Sequence, residues 1–185
     1  MKRIILASKS PRRKELLEIT GLKFEIISKE TDETMDLSKN LEDEIKRVAL
    51  EKANAIKDDN SEAIIIGADT IVVLDNEILL KPNTIDNAIN MLSKLNGKKH
   101  KVLTGVAITY KDKVINWCEE ATVCFLPLTK QEIIDYANTK EPLDKAGAYG
   151  IQGKGSLLID YIQGDYYSIM GLPISKVNKV LKDLI

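Results

Sequence analysis

The stretch from residue 63 to residue 74, AIIIGADTIVVL, limits the choice of folds more than any other part of the chain. β-Branched residues dominate it, and Asp69 is its only charged residue. Such a run is typical of a strand buried inside a sheet. Further strand-like runs occur at 3–8, 101–110, 114–126 and 157–162, and they alternate with helical patterns at 11–20, 41–58, 84–95, 129–138 and 173–184. This alternation predicts an α/β protein with a mixed, twisted sheet and flanking helices.

Two short segments between strand-like runs have the composition of hairpin turns. They are LDNEI at 74–78 and YKDKV at 110–114. Because a tight turn joins antiparallel strands, part of the sheet is expected to be antiparallel.

The composition predicts one globular domain spanning residues 1–185. The chain has 185 residues, of which 44% are hydrophobic, enough for a full core. Lys and Arg total 27 against 28 for Asp and Glu, so neither nucleic acid nor an anionic membrane is an expected partner. No apolar run approaches the length of a membrane span, so we expect a cytoplasmic protein.

The N-terminal stretch ILASKSPRRKELL places two serines, a proline and two arginines at a strand-to-helix corner. Ser10 is a typical N-cap, and Pro11 suits the first helical position. Arg12 and Arg13 then occupy the first turn, where the helix dipole favours acidic residues instead. The corner is either a solvated basic turn or an anion site, because free N–H groups and guanidinium groups together suit a phosphate.

Lys52 and Asp69 are charged residues at positions where the pattern predicts apolar ones. Lys52 falls within the apolar stripe of the helix LEDEIKRVALEKANAIK. It either extends its charge to solvent from the edge of the core or meets a phosphate. Asp69 shares a strand face with Ile65, Ile71 and Val73. It is either a structural aspartate bonded to backbone N–H groups, or a metal ligand or base for a water.

Lys81 follows EILL at the end of an expected apolar strand, and by itself it indicates no particular function. Four cations and one carboxylate nevertheless occur at the ends of elements or at positions expected to face a cleft. They are Arg12, Arg13, Lys52, Lys81 and Asp69. Such a set suits a triphosphate with a divalent metal. The glycine-rich segment EPLDKAGAYGIQGKGS at 141–156 is not a Walker A loop, because its glycine spacing and the residue after Lys154 do not fit.

Six motifs occur in order from residue 6 to residue 173: LASKSPRRKELL, GADTIVV, LLKPNT, TGVAI, EPLDKAGAYGIQGKG and MGLP. With them the chain resembles the Maf family of nucleoside triphosphate pyrophosphatases, which was first associated with septum formation. The resemblance implies a fold related to inosine triphosphate pyrophosphatases, with two lobes around a deep cleft. It also implies cleavage of a nucleoside triphosphate to the monophosphate and pyrophosphate with Mg²⁺, or with Mn²⁺ as the alternative ion.

The resemblance also assigns roles to individual residues. Asp69 resembles the family's proton acceptor, and Glu33 matches an acidic position that faces the site; these two are the implied metal ligands. The phosphate-handling residues of the family match Ser8, Arg12, Arg13, Lys52 and Lys81. Arg12, Thr70 and Gln152 match the branch that takes dTTP and UTP, whereas a sister branch takes 7-methylguanosine triphosphate.

The sequence is compatible with two functions. The first is a pyrophosphatase that acts on dTTP and UTP, or on modified pyrimidine nucleotides. The alternative is a nucleotide-binding regulator of cell division or septum formation with little turnover. The sequence does not decide between a monomer and a homodimer, and it does not identify the cellular substrate.

Overall fold

The structure, a computed structural model, describes residues 2–185. Its strands are β1 (Ile4–Leu6), β2 (Glu25–Ile26), β3 (Ile64–Leu74), β4 (Glu77–Leu79), β5 (Lys99–Tyr110), β6 (Lys113–Phe125) and β7 (Ile159–Gln163). Its α-helices are α1 (Pro11–Glu18), α2 (Leu41–Asn54), α3 (Ile85–Leu95), α4 (Lys130–Asn138), α5 (Tyr166–Met170) and α6 (Ile174–Leu184). Short 3₁₀ turns lie at Asp58–Asn60, Glu141–Asp144, Ala146–Ala148 and Gly153–Leu158. No helix within residues 2–185 has the length and apolar character that a membrane span requires.

The seven strands form one mixed sheet, as the sequence predicted. Their order is β2-β1-β3-β5-β6-β7, and β4 pairs with β3. β1 runs parallel to β2 and to β3. The β3–β4 and β6–β7 pairs are antiparallel. The predicted turn after β3 is confirmed, since Asp75 and Asn76 both have positive φ, the conformation that tight hairpins require.

Two elements were not predicted, and one helix is shorter than expected. β2 has only two residues and α5 has five, so neither carries a clear periodic pattern. β4 is the short strand expected after the hairpin turn at 74–78, and it pairs with β3. The helix predicted over 41–58 ends at Asn54. Asp58 and Asp59 follow its C-terminus, where the helix dipole disfavours negative charge.

The chain divides into two compact units, which are described separately. The first contains the described residues up to Thr70 together with 104–119 and 171–185. The second contains 71–103 and 120–170.

In the first unit, α2 packs directly on the backbone of two strands. A Cβ atom added to Gly67 of β3 would lie 2.2 Å from the carbonyl oxygen of Ala49. One added to Gly105 of β5 would lie 2.3 Å from the carbonyl oxygen of Ile45. Only glycine fits at either position, because these distances are far below van der Waals contact. One part of the core beside this contact consists of Ile5, Ala7, Ala53, Ile56, Ala63 and Ile65.

The second unit has its own apolar core. It includes Val72, Leu79, Leu92, Leu95, Val102, Val123, Phe125, Ile133, Tyr136 and Leu158. His100 lies in this core with its ring edge-on to Phe125 and Tyr149, at centroid distances of 5.1 and 5.3 Å. Its Nε2 atom is 2.8 Å from the Tyr149 hydroxyl. His100 is therefore a packed core residue of this unit.

Candidate functional site

The predicted corner between β1 and α1 forms as the local sequence requires. Ser10 caps the helix, since its hydroxyl accepts a hydrogen bond from the backbone N–H of Arg13, and Pro11 begins the helix. The hydroxyl of Ser8 accepts a hydrogen bond from the Ser10 backbone N–H at 3.3 Å. The first turn contains no acidic residue. The corner therefore keeps its positive charge next to the N-terminal end of the helix.

Arg13 is buried, with 8% of its surface exposed, and its guanidinium group joins distant parts of the chain. Its Nε donates to the carbonyl oxygen of Gly171 at 2.9 Å. Its Nη1 donates to the Ser8 hydroxyl at 3.1 Å, and its Nη2 donates to the Thr70 hydroxyl at 3.2 Å. These contacts connect the segment after β1 and the middle of β3 with the turn before α6.

Burial is the largest influence on the pKa of Arg13, and it lowers that pKa. Asp69 opposes it, the charge of Arg12 adds to the lowering, and Glu33 raises the pKa again. Arg13 remains a cation at neutral pH, because the pKa of a guanidinium group lies far above neutrality. The charges that act on Arg13 are thus those of three other predicted site residues. Arg12 itself is half-buried on α1.

Thr70 connects the guanidinium group of Arg13 to β5. Its hydroxyl lies 2.9 Å from the hydroxyl of Thr104, which is fully buried. Gly171 lies against the Arg13 side chain. Its φ of +118° favours glycine, and an added Cβ would lie only 3.3 Å from the Arg13 Nε. Thr104 and Gly171 were not predicted as site residues, although both occur in quoted motifs, TGVAI and MGLP. Their partners lie 34 and 158 residues away, so no local pattern indicates the contacts.

Lys52, Asp69 and Glu33 form a second group. The Nζ of Lys52 lies 2.6 Å from Oδ1 of Asp69 and 2.8 Å from Oε1 of Glu33. The side chains of Lys52 and Asp69 are only 11% and 13% exposed, whereas Glu33 is 57% exposed. The ammonium of Lys52 is therefore bound by carboxylates, and it does not extend freely into solvent from the edge of the core. A buried lysine between two carboxylates satisfies the requirement that a buried charge be paired.

The same group fits a divalent cation in the presence of a phosphate-bearing ligand. No cluster of three or more His, Cys, Asp or Glu side chains suited to a metal occurs in the part of the chain that the structure describes. Two carboxylates, Asp69 and Glu33, nevertheless converge on one point at Lys52. Mg²⁺ is commonly held by one or two carboxylates, with substrate phosphates and waters as the remaining ligands. The two carboxylates of Asp69 and Glu33 are consistent with that mode of Mg²⁺ binding.

Lys81 and Gln152 belong to the second unit, and both are exposed. Gln152 lies in the glycine-rich segment, whose backbone is held by two side chains. The carboxylate of Glu141 accepts hydrogen bonds from the N–H groups of Lys154 and Gly155, both at 3.1 Å. The hydroxyl of Tyr136 accepts one from the N–H of Gly150 at 3.1 Å and donates to Glu141. The segment around Gln152 is thus fixed on both sides, a feature that sequence reasoning did not find.

The fold resembles that of a solved structure. The structure of the Ham1 protein of Staphylococcus aureus covers the whole of this chain and is itself fully covered, with a TM-score of 0.57 and 12% sequence identity. At that identity the likeness shows the fold alone, and it confirms the predicted α/β class.

The sequence comparisons are more specific. The Maf-like protein family matches residues 3–184, so the chain belongs to this family. A dTTP/UTP pyrophosphatase of Bacillus cereus strain AH820 is 53% identical over 182 residues, which cover 98% of this chain and 95% of the relative. A dTTP/UTP pyrophosphatase of Bacillus anthracis strain CDC 684 has the same identity and coverage. The resemblance predicted from the motifs is confirmed.

Proposed function

We propose that this protein is a nucleoside triphosphate pyrophosphatase, a hydrolase that acts on the anhydride between the α- and β-phosphates. The observation that carries the proposal is the 53% identity, over nearly the whole chain, to proteins named dTTP/UTP pyrophosphatase. The Lys52–Asp69 pair supplies chemistry that suits this reaction. A carboxylate can orient and deprotonate a water, and a lysine can neutralise phosphate charge.

In the proposed mechanism Asp69 is the general base. Lys52 binds its Oδ1 atom, so Oδ2 is the oxygen assigned to the attacking water. The water oxygen forms a bond to the α-phosphorus as Asp69 takes its proton. The bond between the α-phosphorus and the bridging oxygen breaks, and pyrophosphate leaves with the bonding electrons. Lys52 is placed to reduce the negative charge near the carboxylate as the nucleophile approaches.

Asp69 and Glu33 are the residues proposed to hold a divalent metal, with Mg²⁺ as the ion and Mn²⁺ as the alternative. When bound, the metal would neutralise charge on the triphosphate and on the leaving pyrophosphate. Ser8, Arg12, Arg13 and Lys81 are proposed to serve the phosphate chain. Arg13 does so chiefly through its bonds to Ser8 and Thr70, because these contacts and Gly171 already engage its Nε, Nη1 and Nη2 atoms.

We assign dTTP and UTP as substrates, with Arg12, Thr70 and Gln152 as the residues that select the base. An amide at Gln152 offers both a donor and an acceptor, which suits the O4 and N3–H edge of thymine or uracil. A carboxylate would offer acceptors only, and would favour the cationic methylated guanine. The cytoplasmic location, the single domain over 1–185 and the choice between monomer and homodimer stay predictions.

Product analysis tests the proposal directly. Purified protein is incubated with dTTP and Mg²⁺ in ¹⁸O-labelled water, and the nucleotides and phosphates are separated. The expected products are dTMP and pyrophosphate in equal amounts, with the label in dTMP, because the attack is on the α-phosphorus. Release of dTDP and orthophosphate would contradict the assigned bond cleavage. Nucleotide binding without turnover would favour the regulator of cell division instead.

A further inference from the structure

The segment that carries Glu33 has no regular secondary structure of its own. It is the fourteen-residue loop between β2, which ends at Ile26, and α2, which begins at Leu41. Loops of this length inside a compact protein are uncommon and usually functional. Glu33 is largely exposed, and its ion pair with Lys52 is its contact with the buried group. A half-exposed ion pair is too weak to order a loop by itself, so other contacts must fix this segment.

Arg47 of α2 makes the first of these contacts. Its Nη2 donates to the carbonyl oxygen of Thr34, the residue after Glu33, at 2.7 Å. The guanidinium group is itself held by two glutamates of its own helix. Nε and Nη2 donate to the two oxygens of Glu44, and Nη1 lies 2.8 Å from both oxygens of Glu51. The planar group therefore points at the loop in a fixed direction.

Glu44 makes the second contact. Its side chain is 5% exposed, and its Oε2 accepts both the Arg47 Nη2 at 2.9 Å and the backbone N–H of Asp36 at 2.9 Å. Burial of this carboxylate is consistent with its two partners, since an unpaired buried charge would be costly. The loop is thus attached to α2 at Thr34 and at Asp36, just after Glu33.

The same helix carries both the attachment and the target of Glu33. Arg47 lies five residues before Lys52 on α2, whose backbone packs on Gly67 and Gly105. A rigid helix therefore sets the distance between the point where the loop is held and the Lys52 ammonium group. We propose that Arg47, supported by Glu44, is a positioning residue that holds Glu33 at Lys52 and Asp69; its catalytic consequence rests on the proposed pyrophosphatase function.

A double-mutant cycle tests this assignment. Arg47→Gln is expected to lower kcat/KM for dTTP at least tenfold and to raise the Mg²⁺ concentration needed for half-maximal rate, because Glu33 leaves its position. In a Glu33→Gln background the same change is expected to lower kcat/KM by less than threefold, since the residue on which Arg47 acts is already gone. Lys46→Gln is the matched control. It removes a neighbouring cation of α2 that pairs with Asp43 of the same helix, and its activity is expected to stay within twofold of wild type.

A readout without nucleotide separates this inference from the proposed function. Hydrogen exchange at the backbone amides of 33–38, Asp36 above all, is expected to become at least tenfold faster in Arg47→Gln and in Glu44→Gln, but not in Lys46→Gln. If the wild type hydrolyses no triphosphate, the proposed function fails while the exchange data still decide whether Arg47 holds the loop. Unchanged exchange, or equal losses of kcat/KM in both backgrounds of the cycle, would overturn the positioning role.

Discussion

The Nζ of Lys52 lies 2.6 Å from Oδ1 of Asp69, and both side chains are nearly nine-tenths buried. An aspartate with a purely structural role would be expected to bond to backbone N–H groups. The observed partner is a lysine from another element, which also binds Glu33. This arrangement pairs the carboxylate with an ammonium group and fixes its direction, which suits the proposed role of general base.

Asp69→Asn should lower the turnover of dTTP at least about 10²-fold, on the scale of a lost general base. The amide is isosteric, so the fold is expected to survive with an unchanged far-UV circular dichroism spectrum. Initial rates of pyrophosphate release on the same preparation provide the measurement. A folded variant with near-native turnover would make Asp69 a structural residue.

Arg13→Lys and Arg12→Lys are expected to separate a structural from a binding role. Arg13 donates to three partners through three different nitrogens, and a lysine cannot reproduce that geometry. We therefore expect Arg13→Lys to lower the melting temperature by several degrees, as losses of about 1–3 kcal/mol from buried hydrogen bonds do. Arg12→Lys should raise KM for dTTP with little change in melting temperature. Equal melting temperatures for both variants would argue against an organising role for Arg13.

Substrate selection is expected to depend on Gln152. The wild type should have a kcat/KM for dTTP and UTP at least about 10²-fold above that for 7-methylguanosine triphosphate, because mismatched hydrogen bonds in a site are costly. Gln152→Glu should narrow this ratio. Exposed Gln163 of β7 offers a control, since Gln163→Glu changes the charge of the same unit in the same way. A wild type that prefers 7-methylguanosine triphosphate would contradict the assignment to the dTTP and UTP branch, but it would not contradict the assignment as a hydrolase.

His100 should make stability depend on pH in mildly acidic solution. Burial lowers its pKa from 6.5 to about 4, so the folded protein holds this ring neutral where the unfolded chain protonates it. The neutral His100 ring therefore costs no stability above pH 6.5. As the pH falls from 6.5 towards 4, the free energy of unfolding decreases by a total of about 3 kcal/mol because of this group. Urea unfolding of wild type and His100→Gln at several pH values should show a smaller loss in the variant. Parallel losses in both proteins would mean that other groups dominate.

Local patterns predicted the elements that carry the site, but not its internal contacts. Ser10 and Pro11 mark the start of α1 by their own chemistry, and the run around Asp69 identifies β3. The contact between Arg13 and the Gly171 carbonyl spans 158 residues and involves a backbone atom, which no side-chain pattern reveals. The contact of Arg47 with the Thr34 carbonyl is hidden for the same reason. Lys52 and Asp69 could be predicted as site residues, because each is a charged residue at a position where the pattern predicts an apolar one.

Gly67 and Gly105 give the protein an uneven tolerance to mutation. A methyl group at either position would start 2.2 or 2.3 Å from a carbonyl oxygen of α2, whereas ordinary contact begins at 3.4 Å. Relief of that overlap requires α2 to move away from the sheet by about 1 Å. A misplacement of that size can lower a catalytic rate a hundredfold. Partly exposed positions of α2 whose side chains pair only within the helix, such as Lys46, carry no comparable restriction. A single added carbon beneath the helix would move Lys52 away from Asp69.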